Sequence, residues 1–129
     1  MTKELFEKGL ALRKQVLGAE YVERSLAAAD DFSRPMQELS TEYCWGYVWT
    51  RPGLSLRDRS LINLAMISAL NRPHELKLHV KAALRNGLTR EEIREVFLQV
   101  AVYCGVPAGI DSVRIASEAF AEVDQAKRG

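Results

Sequence analysis

Apolar residues recur along this chain at helical spacing and hardly anywhere in strict alternation. Leu5, Phe6, Leu10, Leu12, Val16 and Leu17 form a first stripe, which Gly18 ends. A second runs from about Tyr21 to Ala29, with Val22, Leu26 and Ala29 on one side. Asp30 to Ser33 reads as a turn, with Ser33 placed to cap a third helix and Pro35 in its first turn. That helix carries Met36, Leu39, Tyr43, Cys44 and Tyr47, and Arg51-Pro52-Gly53 follows as a tight loop.

The densest apolar stretch is Arg59 to Gly87, two helices joined by a short turn. Leu61, Ile62, Leu64, Ala65, Met66, Ile67, Ala69 and Leu70 lie too close together for one narrow stripe, which predicts a helix buried on most sides. Ser55, with Asp58 three residues on, is placed to cap it. Asn71-Arg72-Pro73 breaks it, Pro73 suits the first turn of the next helix, and Gly87 suits the position after its end. Thr89 and Glu92 form a capping box for a helix carrying Ile93, Val96, Phe97, Val100, Ala101 and Tyr103. Cys104 to Pro107 breaks that helix. The last one carries Ile110, Val113, Ile115, Ala116, Ala119, Phe120 and Val123, and the polar tail AKRG is expected to fray. The pattern is all-α, about seven helices in a single domain spanning residues 1–129, with enough apolar faces to predict an oligomer.

Composition narrows the function classes. The net charge is +1 and the charges are mixed, so no basic stripe argues for nucleic acid. No apolar run approaches the length of a membrane span, and the N-terminal stretch lacks the apolar core of a secretory signal, so a cytoplasmic protein is expected. Cys44 and Cys104 lie sixty residues apart without a CxxC, as buried thiols of a reducing compartment would, although the spacing alone leaves one disulfide open. His74 and His79 show no metal-ligand spacing, and no glycine-rich phosphate loop is present.

Candidate chemistry centres on His79, four residues after Glu75 and therefore beside it on one helix face. Such a pair is either a core histidine held by a carboxylate or a general acid/base tuned by burial. Tyr43, Trp45, Tyr47 and Trp49 crowd one segment, as core, interface or pocket wall. Arg51 borders that wall. Arg57 and Arg59 open the central helix, where cations oppose the helix dipole, and are either solvated or aimed at an anionic ligand.

Three stretches, YCWGYVWTRPGLSLRDRSLINLAM (43–66), ELKLHVKAALRNGLTREEIREVFLQ (75–99) and YCGVPAG (103–109), resemble the carboxymuconolactone decarboxylase family, within the alkylhydroperoxidase D-like fold. The resemblance covers about residues 4–125. It implies an all-helical subunit of a ring-like hexamer, a trimer of dimers. It also implies cofactor-free conversion of 4-carboxymuconolactone, a dicarboxylate lactone, to 3-oxoadipate enol-lactone and CO2, a step of protocatechuate breakdown through the β-ketoadipate pathway.

On that basis His79 is the expected proton donor and Glu75 its orienting group. Arg51, Arg57 and Arg59 are expected at the carboxylates, with Trp45, Trp49, Tyr103 and Cys104 lining the pocket. Peroxidase relatives on this fold carry a CxxC, a histidine four residues later and a glutamate on the preceding helix. His79 matches that histidine, but Arg72 and Glu75 stand at the cysteine positions and Ser60 at the glutamate position, so thiol peroxidase chemistry is not expected. The family's GVPAAN is here Gly105-Val106-Pro107-Ala108-Gly109-Ile110, an amide replaced by isoleucine, which bears on the substrate. The alternatives are another small lactone or carbonyl acid as substrate, a peroxiredoxin-like paralogue without the CxxC chemistry, or a binding protein without turnover.

Overall fold

The structure is a computed structural model that describes residues 2–129. Among them are seven α-helices, one π-helical segment and no strand. Among the described residues no helix is long and apolar enough to cross a membrane. The helices fall into two compact units, one ending at Ser55 and the other comprising Leu56–Gly129.

The N-terminal unit holds α1 (Lys3–Leu17), α2 (Ala19–Ala27), α3 (Arg34–Leu39) and the π-helical segment Ser40–Val48. Thr2 caps α1 by accepting from the Leu5 amide at 3.1 Å. Gly18 stops it at φ 96°, a left-handed conformation that suits glycine. Ser33 stands at the N-cap of α3 as expected, but its side chain does not bond the first turn. Its hydroxyl accepts from the Asp30 amide, while Asp30 Oδ1 accepts from the amides of Phe32 and Ser33, closing an Asx turn. The one helix expected through Tyr47 changes winding at Ser40. This segment lies directly on α1, backbone against backbone: a Cβ on Gly9 would sit 2.0 Å from the Thr41 carbonyl oxygen. Trp45 and Trp49 are buried and stack with centroids 4.7 Å apart. Phe32, Met36, Leu39, Tyr43 and Tyr47 face outward.

The C-terminal unit holds α4 (Leu56–Ala69), α5 (Pro73–Arg85), α6 (Arg90–Cys104) and α7 (Val106–Arg128). Its core is Leu64 from α4, Leu76, Val80 and Ala83 from α5, Leu88, Ile93 and Phe97 from the α6 side, and Ala116 and Ala119 from α7. The Thr89–Glu92 capping box forms as the sequence predicts. Gly109 lets α7 approach α6, since a Cβ there would meet Ala101 Cβ at 2.7 Å. Lys77 and Lys81 both pair with Glu122, and Arg90 pairs with Asp124 at 2.6 Å, so α7 is clasped to its neighbours well beyond the core. These pairs explain why the tail expected to fray is helical through Arg128.

One expectation for α4, burial on most sides, changes. Only Ser60, Leu64 and Ser68 are buried, one line at i, i+4, i+8, while Ile62, Met66 and Leu70 stand exposed. The dense apolar run therefore splits between the core and an outward face.

Gly9→Ala should destabilise the protein by about 1–3 kcal/mol, towards the upper end because the methyl would meet backbone that cannot rotate away. Thermal unfolding of the variant beside wild type measures it, and an unchanged midpoint would contradict the close α1 approach.

Candidate active site

Leu76, Val80 and Ala83 pull one side of α5 into the core, and His79 sits on the margin of that side, half-buried. Its partner is Asn63 of α4, whose amide nitrogen lies 3.2 Å from His79 Nδ1. Burial pushes the imidazole pKa down to about 4, so the ring is neutral at pH 7. Glu75 does not orient it. That carboxylate is exposed and faces the His74 imidazole at 3.9 Å. The i, i+4 spacing made contact with His79 geometrically available, but solvation of the carboxylate wins over burying it beside a neutral ring.

The three arginines go to different surroundings. Arg57 pairs with Glu92, which also accepts the Thr89 amide. The Thr89 amide first, and then Arg57, hold the Glu92 carboxyl below its ordinary range. Arg59 is half-buried on α4, one turn before Asn63 and on the same face. Arg51 belongs to the N-terminal unit, exposed, with its guanidinium 5.3 Å from the Tyr47 ring centre. Trp45 and Trp49 are core residues of that same unit.

Tyr103 and Cys104 line a groove of about 560 Å³ between α4 and α6, opposite Leu61, Ile62 and Ala65. His79 is not among its walls. Asn63, two residues on from Leu61, turns roughly to the other side of α4. Glu92 and Glu95 on the groove wall make it a poor receptor for a dicarboxylate. Ile110 is exposed on α7 and also lies off the groove. The sequence reading passed over two polar residues that the fold places in prominent positions. Asn63 was visible as the lone amide in LINLAM. Arg13, 6% exposed, donates to Gln37 Oε1 at 2.9 Å and Thr41 Oγ1 at 3.1 Å within the N-terminal unit, and looked like any basic residue of an amphipathic helix.

Comparison with known proteins agrees with this fold. The model of the carboxymuconolactone decarboxylase family matches residues 34–118. The nitrosuccinic acid decarboxylase of Metarhizium robertsii is 50% identical over 111 residues, covering 86% of this chain and 78% of that protein. The 4-carboxymuconolactone decarboxylase of Acinetobacter baylyi is 37% identical over 121 residues, covering 94% and 90%.

The neutral histidine has a stability consequence. Its folded pKa of about 4 lies below the ordinary 6.5, so between these values the unfolded chain binds more protons and acidification favours unfolding. From pH 7 to pH 4 this group alone should remove ~2–3 kcal/mol. His79→Gln should flatten that part of the profile in chemical denaturation at the two pH values, while the acid sensitivity of the carboxylate pairs persists in the variant. Equal slopes for the two proteins would contradict a buried neutral ring.

Proposed function

Because the chain belongs to the carboxymuconolactone decarboxylase family, we propose that it decarboxylates a small polycarboxylate whose departing carboxyl sits on a carbon activated by an electron-withdrawing group. The observation that carries this is that two relatives with different substrates, at 50% and 37% identity, are both decarboxylases. Their substrates share one electronic feature. In nitrosuccinic acid the carbon that bears a carboxyl also bears the nitro group, so loss of CO2 leaves an electron pair that the nitro oxygens take up. In 4-carboxymuconolactone the pair runs through the ring double bond to the lactone carbonyl. Either substrate carries its own electron sink, and the reaction needs no cofactor to supply one. The higher identity favours the nitro acid as the first substrate to test. The longer coverage and the matching segments favour the lactone as the second.

Such a reaction asks the protein for a donor at the oxygen that gains charge and a cation at the carboxylate that stays. His79 takes the first part. Arg59, half-buried and one turn from Asn63 on the same face of α4, takes the second.

Purified protein should release CO2 from nitrosuccinic acid, or from freshly generated 4-carboxymuconolactone, with one kcat/KM at least tenfold above the other. His79→Ala should lower kcat by about 10²-fold or more. Arg59→Met should raise KM about tenfold or more. Well-folded protein that turns over neither acid would overturn this function.

We also propose that the chain works as a homo-oligomer. The C-terminal unit exposes Ile62 and Met66 on α4, Leu70 just after it, Val102 and Tyr103 on α6, and Val106, Ile110 and Val113 on α7, far more apolar surface than an isolated subunit keeps in water. Light scattering should give a mass several times 14.5 kDa, and Met66→Glu should lower it. A monodisperse wild-type monomer would remove the oligomer.

A further inference from the structure

We infer that Asn63 is a positioning residue, which fixes His79 as the neutral tautomer protonated at Nε2 so that the imidazole acts as a hydrogen-bond donor to the oxygen that gains charge. The function half of this inference rests on the decarboxylase proposal; the tautomer half does not. An amide nitrogen carries hydrogens and no available lone pair. At 3.2 Å from Nδ1 it can only donate, so Nδ1 must accept. The single proton of the neutral ring then resides on Nε2. Protonating Nδ1 would set N–H against N–H across this contact, which opposes the imidazolium in addition to the cost of burying its charge. Asn63 is half-buried on a helix whose neighbouring Leu64 is locked in the core, so the amide is held on a rigid support.

The consequence is chemical. An imidazolium would hand its proton to the substrate. A neutral Nε2–H instead stabilises developing negative charge and keeps its proton, as preorganised donors do. As CO2 leaves, the carbon–carbon bond breaks and its electron pair moves to the nitro or carbonyl oxygen facing Nε2–H. The carbon then takes a proton from water, so each turnover consumes one proton and changes no oxidation state of the protein.

The test is nitrogen NMR of the ring-labelled wild-type protein at neutral pH, followed by Asn63→Asp and Asn63→Gln. Wild type should show a pyridine-type Nδ1 and a pyrrole-type Nε2 for His79. Aspartate only accepts, so Asn63→Asp should move the proton to Nδ1 and lower kcat about hundredfold, with KM changed by less than about threefold. Glutamine retains the donor, so Asn63→Gln should keep the wild-type tautomer and recover most of the lost kcat. A protonated Nδ1 in wild type would overturn the inference whatever acid is turned over. A flipped tautomer in Asn63→Asp with wild-type kcat would overturn the donor role. The expected wild-type spectrum from a protein that decarboxylates neither acid would support the tautomer lock and overturn the proposed function.

Discussion

Phe97 and Leu64 are the largest fully buried side chains of the C-terminal unit, and the way they bring α4, α5 and α6 together governs everything polar in it. Once Leu64 is inside, Asn63 must stand beside the core and Ile62 must point away from it, because successive helix residues are about 100° apart. Once Leu76 and Val80 are inside, His79 is brought to the edge of α4. The 3.2 Å Asn63–His79 contact is therefore a by-product of apolar packing, and that packing also supplies the burial that keeps the ring neutral. A looser core would let water reach the imidazole and restore its ordinary titration.

Charge in this unit is mostly committed to holding helices together. Glu122 joins α7 to Lys77 and Lys81, Asp124 joins it to Arg90, and Glu92 ties the start of α6 to Arg57. These pairs are solvent-exposed, so each is worth little by itself. Their collective effect is positional: they keep α7 helical to Arg128 and hold Arg57 against Glu92. The same logic separates the groove beside Tyr103 from the histidine. Its acidic rim suits neither substrate of the two decarboxylase relatives, whereas Arg59 lies on the helix face that also carries Asn63.

The N-terminal unit solves a different problem. Arg13 is buried with neutral partners, and desolvation lowers its pKa. Gln37 and Thr41 can reach it because Gly9 and Gly46 allow α1 and the π-helical segment to meet at backbone distance. The stacked Trp45 and Trp49 fill the remainder of that unit's interior.

Helix positions, the Gly18 stop and the Thr89–Glu92 capping box were legible in the sequence because each depends on residues a few positions apart. Membership of the family was legible too, through long segments that the family model and two relatives later matched. What the sequence could not decide was which of several local options each polar residue would take. Glu75 lies one turn from His79 yet turns to His74, Arg57 is drawn to Glu92 thirty-five residues away, and Asn63 meets a histidine sixteen residues further on. The apolar run of α4 likewise left open which side would face the core and which would stay outside. Local spacing determines what forms a helix, because backbone hydrogen bonds and caps are short-range. The partner of a charge or an imidazole is decided only when distant helices pack, because it depends on which groups lose water together.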